Sequence, residues 1–266
     1  MKFFIIFFLF YYTLAALEVS TRYNVYATMF GHVGYCDVDI REDKEQYEIK
    51  AVAKTIDTAA VLLRNRVETF ISRGKIKNGK YIPDIFIKTK ETTKKTRVQT
   101  YSFNHDKEEV ILVEEKINVV NKMSFDSKSF KFALKEVEER STKEEVLDNY
   151  MADDTLSIYL NSKNGCDFSQ KKHAIIAIGA NNDKNNIHYE CLEGMKKNVA
   201  VKKLSDSVFL KNIYNLHVEP LDKDDKIVDV VVAYDNDGFL KEGLMDKIFW
   251  VGSMRAIRVN HKILKN

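Results

Sequence analysis

The stretch RVETFISRGKIKNGKYIPDIFIKTK, residues 66–90, decides the fold class because it predicts a β-hairpin. Its two halves carry the β-branched and aromatic residues that fit a pleated, half-buried surface. Between them, Asn78-Gly79 supplies the two positive-φ positions that a type I′ turn requires. Pro83 lies close to this turn, which suits the start or the edge of a strand better than its centre. An antiparallel pair of strands is therefore the first predicted unit.

Further strands are predicted on both sides of this hairpin, so that residues 22–115 form a succession of strands. In residues 46–53, Tyr47 and Ile49 alternate with charged side chains, which is the period of a half-buried strand. A second hairpin is predicted within residues 97–115, where two apolar segments flank a short polar turn. The first half of the chain is therefore predicted to be antiparallel β structure.

The middle of the chain changes its period. From residue 127 to 161, apolar side chains recur at spacings of three and four between glutamates and lysines, which predicts helices. Asp153 and Asp154 are predicted to cap a short helix that begins near Thr155, because an Asp side chain accepts the unpaired N–H groups of a first turn. Upstream, residues 57–63 leave two possibilities open, a helical turn or a tightly packed strand.

The last hundred residues return to strands. Residues 173–178 and 227–234 are nearly continuous apolar runs, as expected of strands covered on both faces. Residues 235–238 predict a turn, and further strands follow it. We therefore predict a mainly β protein with a large curved antiparallel sheet or barrel-like domain over residues 17–266. A short helical insertion is expected at about residues 127–162 of this single domain.

The N-terminus has the pattern of an export signal. Lys2 is followed by an uncharged apolar run over residues 3–14 and by the small residues Ala15 and Ala16. This order predicts a signal peptide over residues 1–16 and a periplasmic or secreted mature protein. No later run reaches the roughly 18 apolar residues of a membrane-spanning helix, so no integral membrane segment is expected after cleavage.

The charge balance bears on the class of partner. The chain of 266 residues holds 42 Lys and Arg against 39 Asp and Glu, a formal net charge of +3. A nucleic-acid-binding protein normally has a large and clustered basic surplus. Here the lysines are interleaved with glutamates, which is typical of a solvated surface. We therefore expect no nucleic-acid partner.

The three cysteines suggest a disulfide more strongly than a metal site. A bond between Cys166 and Cys191 is favoured by an oxidising compartment and by their position beside strands of one region, although sequence alone does not fix connectivity. His173 and His188 would complete a zinc site, but only His188 and Cys191 have the spacing of a close ligand pair. Cys36 is predicted to be a small buried hydrophobic residue.

No catalytic or cofactor motif is found in the sequence. It lacks a nucleophile elbow, a phosphate-binding loop and a zinc-protease helix motif. The paired carboxylates at Asp153 and Asp154, and at Asp235 and Asp237, are predicted to act in caps and turns. A calcium loop ending near residue 238 would place Ala233 at its first ligand position, where no side-chain oxygen is available. We therefore predict no catalytic residue, no metal site and no cofactor.

The aromatic content leaves two interpretations open. The chain holds 13 tyrosines and 16 phenylalanines, and many alternate inward along predicted strands, as Tyr101 and Phe103 do. Aromatic residues dominate most protein cores, which favours a packed interior. A curved sheet with the same pattern can also admit an apolar or glycan ligand, as larger barrels do.

Several turn and strand landmarks resemble those of a known family. The chain is similar over most of residues 22–260 to exported bacterial proteins grouped as domain of unknown function 3108, which implies a β protein of the cell envelope. The resemblance supplies no functional residues. It rests on Tyr23-Asn24-Val25-Tyr26 with Gly31 and Gly34, residues 72–76 with Pro83, residues 103–106, residues 154–157, residues 234–238 and residues 249–252.

These observations favour a binding protein over an enzyme. We expect an exported, soluble envelope protein that binds an apolar or polymeric envelope ligand, with a lipid, a glycan or an envelope protein as partner. The alternative is a hydrolase or lyase that acts on envelope polysaccharide through paired carboxylates. Such an enzyme needs two carboxylates on opposite walls of one cleft, about 5–10 Å apart.

Overall fold

The computed structural model describes residues 17–126, 130–148, 150–161, 173–178, 185–205, 212–218, 228–248 and 252–265. The predicted signal peptide, residues 249–251 of the predicted closing strand and Cys166 lie outside these ranges. The described strands are β1 (Leu17–Ala27), β2 (Gly31–Asp43), β3 (Gln46–Thr55), β4 (Val67–Lys77), β5 (Lys80–Thr92), β6 (Lys95–Asn104), β7 (Glu109–Asp126), β8 (Lys131–Val146), β9 (Asp153–Asp154), β10 (His173–Ile178), β11 (Asn185–Cys191), β12 (Asn212–Val218), β13 (Val228–Tyr234), β14 (Leu240–Ile248) and β15 (Gly252–Lys265). The described helices are α1 (Asp57–Leu62), α2 (Thr155–Asn161) and α3 (Gly194–Lys203).

All fifteen strands belong to one sheet. Their order is β8-β7-β6-β5-β4-β3-β2-β1-β15-β14-β13-β12-β11-β10-β9. Adjacent strands are therefore consecutive in sequence except β1 and β15, and the consecutive strands β8 and β9 lie at the two ends of the sheet. The pairs are antiparallel, apart from the short parallel contact between β9 and β10. The predicted class, a mainly β protein with a large antiparallel sheet, is confirmed. The predicted extent of a single domain over residues 17–266 stays a prediction.

The hairpin predicted over residues 66–90 is present as β4 and β5. Asn78 and Gly79 have φ angles of 52° and 74°, which are the positive values that the turn requires. Gly74 lies opposite Pro83. A Cβ atom added to Gly74 would lie only 2.0 Å from the Ile82 carbonyl oxygen. No larger side chain fits there, so this strand pairing depends on glycine.

The sheet curls around helix α2. This helix contacts β4 and β5 in one half of the sheet and β10 in the other. Leu160 is fully buried, and Leu156 and Tyr159 pack with it against side chains of β1, β2 and β3. Tyr101 and Phe103, which were predicted to point inward, are buried in a neighbouring cluster. The aromatic side chains of this region therefore form a packed core.

The prediction of helix is wrong over residues 131–146. Residues 131–146 form strand β8, which pairs along its whole length with β7. The glutamates and lysines of this segment favour a helix in isolation, but pairing with β7 overrides that preference. β8 is the edge strand of the sheet, and charged side chains are a common feature of edge strands. The short helix predicted to start near Thr155 is confirmed as α2.

Two further helices complete the description. The segment over residues 57–63, for which a helical turn was one of two possibilities, contains α1. Helix α3 was not predicted, and it buries Ala200 and the following Leu204 against Ile213, Ala233 and Leu244 of the sheet. None of the described helices has the length and apolar character needed to cross a membrane.

Candidate functional site

The interior holds a chain of polar side chains at the start of α2. The Asp154 carboxylate is fully buried and accepts the backbone N–H groups of Leu156 at 2.7 Å and Ser157 at 2.9 Å. It also accepts the Ser72 hydroxyl at 2.6 Å. Because that hydroxyl proton is engaged with the ionised carboxylate, the Tyr47 hydroxyl, 3.0 Å away, donates to the Ser72 oxygen.

Burial and this polar chain have opposite effects on the pKa of Asp154. Burial raises the pKa of Asp154 to about 6, although the hydrogen bonds from Ser72, Ser157 and Leu156 oppose the rise. Burial also raises the pKa of Tyr47, which is therefore neutral in the fold. Every carboxylate oxygen of Asp154 is used to cap α2 and to join it to β4. The group is a structural cap, as the sequence predicted.

A second polar group lies beside the cap. The His105 Nε2–H donates to the Pro83 carbonyl oxygen at 2.6 Å, and Nδ1 is hydrogen-bonded to the Tyr150 hydroxyl at 2.6 Å. Burial raises the pKa of Asp153, while Lys80 and His105 oppose that rise. Within the described part of the chain, Asp153 Oδ1 is buried without a hydrogen-bond partner. The cluster fixes the turn between β6 and β7 against the segment that leads into α2.

The turn between β13 and β14 contains a third buried carboxylate. Asp235 Oδ1 accepts the backbone N–H groups of Asp237 and Phe239, each at 3.0 Å, and Oδ2 accepts Arg258 Nη2 at 2.6 Å. Burial alone would raise the pKa of Asp235, but the Phe239 N–H and the Arg258 guanidinium hold it below its usual range. The predicted turn function of Asp235 is confirmed.

An open cleft of about 350 Å³ lies outside the core, and its walls are charged. Arg73 is paired there with Glu48, while Asp84 is paired with Lys75 at 3.4 Å. These pairs compensate three of the five charged side chains that line the cleft. Most of its lining residues are charged or polar, whereas hydrophobic and aromatic residues predominate in a usual small-molecule site. It is lined by Arg41, Asp43, Gln46, Tyr47, Glu48, Arg73, Gly74 and Asp84.

A two-stranded ribbon extends beyond the rest of the sheet, and we call it the arm. Strand β6 begins at Lys95, which lies opposite Asn118 of β7, so the part of β7 that follows has a neighbour on one side only. Val120 lies opposite Val137 of β8, and the pairing continues to the turn. The arm comprises residues 120–137, of which the structure describes 120–126 and 130–137.

One face of the arm is apolar along its outer half, and we call it the arm face. Met123 lies opposite Leu134 and Phe125 opposite Phe132, so that all four side chains point to the same side. Phe130 joins them from the turn, with its ring 6.0 Å from that of Phe125. These five side chains are between 50 and 81% exposed. The arm face is a continuous apolar surface with no cover among the described residues.

The opposite face of the arm is polar. Lys122 lies opposite Lys135, and Ser124 lies opposite Ala133. Both lysines are exposed, and Lys122 Nζ is 2.8 Å from Glu139 Oε1 nearer the root of the arm. The arm is therefore an amphipathic ribbon that separates apolar side chains from lysines.

The sequence did not identify the arm face as a candidate site. Its residues fell partly in the segment that was predicted to be helical, where Phe130 and Leu134 match a helical spacing. The signal that identifies the ribbon is the alternation of Met123 with Phe125 and of Phe130 with Phe132 and Leu134. This alternation places the apolar side chains together only when the two segments pair.

The structure describes two of the three cysteines, Cys36 and Cys191. Cys191 takes part in a disulfide, and since Cys166 lies outside the described residues, the pair Cys166–Cys191 stays a prediction. His173 and His188 lie on the adjacent strands β10 and β11, but the structure does not describe their side chains. Cys36 is a free, half-buried cysteine, and burial raises the pKa of its thiol to about 11. It is therefore a thiol at neutral pH, which fits a packing role.

Comparisons with known proteins identify a family and a solved structure of similar fold. The family model described as "Protein of unknown function (DUF3108)" matches residues 22–229. A search of curated proteins gives no match. A crystal structure of a β-barrel-like protein of domain of unknown function DUF1849 from Brucella abortus is 12% identical, with a TM-score of 0.48, and the match covers 94% of this chain and 98% of that one.

Proposed function

The chain belongs to the DUF3108 family of proteins of unknown function, and from this premise we propose that it is an exported, non-catalytic binding protein of the cell envelope. Its binding surface is the arm face. The observation that carries this proposal is the exposure of five large apolar side chains on one side of a ribbon. Continuous exposed apolar surfaces of this kind mark sites of interaction with proteins, membranes or ligands.

The remainder of the fold does not need the arm. The buried clusters of the core are formed by other strands together with α2 and α3, and the five side chains of the arm face belong to none of them. An exposed apolar ribbon also favours aggregation, which makes it costly to retain without a partner. A surface that adds nothing to the core and carries this liability is best explained by binding.

The alternative, a hydrolase or lyase of envelope polysaccharide, finds less support. Burial raises the pKa values of Asp153 and Asp154, as a general acid requires, but the two are neighbours on one short strand rather than residues on opposite walls. Asp154 is fully occupied as a helix cap. These carboxylates therefore have a structural explanation that does not involve catalysis.

The proposed location in the envelope is tested separately. It rests on the charged, apolar and small residues of the first sixteen positions. N-terminal sequencing of protein from the native host should begin between Ala16 and Glu18. A mature cytoplasmic protein that retains Met1 would contradict export. It would not bear on the arm face as a binding surface.

The binding surface is tested by fractionation of the native host. The variant Phe125→Ser/Phe132→Ser removes two rings of the arm face without touching the core. The wild type should be recovered with an envelope component, and the variant should appear in the soluble fraction. The matched control is Met195→Ser/Val199→Ser, which replaces two exposed apolar residues of α3. An arm variant that fractionates as the wild type does would contradict the proposed function.

A further inference from the structure

We propose that the arm face docks on the surface of an anionic lipid bilayer. This inference rests on the proposed function, because it names the occupant of the same surface. Three features of the arm carry it: the separation of its two faces, the distribution of charge along it, and the other exposed side chains at its root.

The separation of faces suits the boundary between lipid headgroups and acyl chains. An amphipathic element binds there with its apolar side about 5–10 Å deep and its polar side toward water. On the arm, Met123, Phe125 and Phe132 would enter the lipid. Lys122 and Lys135 on the other face would then lie at headgroup level, because long lysine stems extend along apolar surface toward phosphates.

The charge along β8 changes sign from the tip of the arm toward the body of the sheet. The described tip residues, 122–126 and 130–135, include three lysines and one aspartate, a formal net charge of +2. Residues 136–148, which lead away from the tip, include six acidic and two basic residues, a formal net charge of −4. An anionic surface therefore attracts the tip and repels the acidic part of β8 that pairs within the sheet, which directs the apolar part of the ribbon toward the membrane.

Further exposed apolar and basic side chains lie beside the root of the arm, where the ribbon leaves the sheet. The Thr93 N–H donates to the Arg64 carbonyl oxygen at 3.0 Å, and the Val119 N–H donates to the Lys94 carbonyl oxygen at 2.8 Å. These bonds hold the loop after α1 beside the root. Val61 and the neighbouring Leu62 and Leu63 are exposed there, as are Arg64 and Lys94.

A lipid surface fits these charges better than a second copy of the chain. Two arms packed face to face with their tips at the same end would bring two positively charged tips together, which is unfavourable at close range. An anionic bilayer instead supplies the opposite charge over its whole surface. It also accepts rings and aliphatic side chains without a matching pocket.

The test measures binding of the purified mature chain to vesicles. Phosphatidylcholine vesicles are compared with vesicles that contain phosphatidylglycerol, at low and at high salt. The wild type should bind the phosphatidylglycerol vesicles more tightly, and added salt should weaken that binding. Phe125→Ser/Phe132→Ser should lower the partition coefficient about tenfold or more, because it removes the buried apolar area.

Two further variants separate charge from apolar burial. Lys122→Gln/Lys135→Gln should weaken binding to phosphatidylglycerol vesicles by about fivefold for each lysine. The control Met195→Ser/Val199→Ser should bind as the wild type does. Circular dichroism and the unfolding midpoint of each variant show whether it has kept its fold.

The outcomes distinguish this inference from the proposed function. If the purified chain binds neither kind of vesicle while the arm variant still leaves the envelope fraction of the host, the occupant is a protein or a glycan. The lipid inference then fails and the binding function stands. Equal binding to both kinds of vesicle, insensitive to salt, would overturn the role of the lysines. Dimerisation that depends on the arm face, without vesicle binding, would overturn the inference in favour of a second copy.

Discussion

The two halves of strand β7 have the same alternating pattern and opposite surroundings. In the first half, Val110 and Leu112 are fully buried, whereas Met123 and Phe125 in the second half are exposed. The first half lies beside β6 and beneath Leu147, which packs in the same cluster. The second half has only β8 as its neighbour. Alternation therefore determines which side chains share a face, and the surrounding strands determine whether that face is covered.

This difference separates stability from binding. Side chains of the first half of β7 pack with Phe86 and Tyr101, so their removal leaves a cavity in the core. The rings of the second half contact one another but no buried cluster. Substitutions in the two regions should therefore have opposite profiles, with large effects on stability in the core and large effects on association in the arm.

The largest expected effect on stability is in the core. Phe86 is fully buried between Phe70 and Tyr101, with ring centroids at 6.4 and 5.9 Å. Phe86→Ala should lower the free energy of unfolding by about 3–5 kcal/mol, because it removes the transfer energy of the ring and leaves a cavity. The matched variant Phe125→Ala should change it by no more than about 0.5 kcal/mol.

Denaturant unfolding of both variants tests the contrast. Equal losses for Phe86→Ala and Phe125→Ala would show that the arm contributes to the core. That result would remove the basis for treating the arm as a surface devoted to binding.

The same contrast explains what the sequence could predict. The hairpin over residues 66–90 and the cap at Asp154 depend on local chemistry, namely a turn that needs positive φ and a side chain that accepts backbone N–H groups. Both were predicted correctly. Strand β8 was missed because its exposed charged residues show no alternation of burial, and its structure comes from pairing with β7. The arm face depends on that pairing, so it could not be predicted before β8 was assigned.

An effect of intermediate size is expected on the pH dependence of stability, through the Asp154 cap of α2. The folded pKa of Asp154 is raised to about 6, against about 3.9 for an unfolded aspartate. The folded state therefore holds its proton more tightly, and the stability contributed by this group falls as pH rises from about 4 to about 6. Asp154→Asn keeps an oxygen that can accept the N–H groups of α2 and does not ionise.

The variant should therefore gain stability relative to the wild type by about 2 kcal/mol between pH 4 and pH 7. The free energies of unfolding of both proteins are measured across this range, with the exposed Asp148→Asn as the matched control. A constant difference between Asp154→Asn and the wild type would show that the carboxyl group titrates as an exposed one does.

The smallest expected effect on stability comes from removing the arm. Val120 lies directly opposite Val137, so residues 121–136 can be replaced by Asn-Gly, which closes a two-residue hairpin between those positions. Because the described residues of the deleted segment have only each other as sheet neighbours, the shortened protein should keep its fold and unfold within a few degrees of the wild type. The same protein should lose association with the envelope and binding to anionic vesicles, although its core is intact. Thermal unfolding and vesicle flotation of one sample measure both properties together.

A melting temperature lowered by more than about 8 °C, which corresponds to at least 2 kcal/mol for a protein of this size, would show that the arm stabilises the sheet it extends from. A shortened protein that still binds would move the binding surface back to the curved sheet.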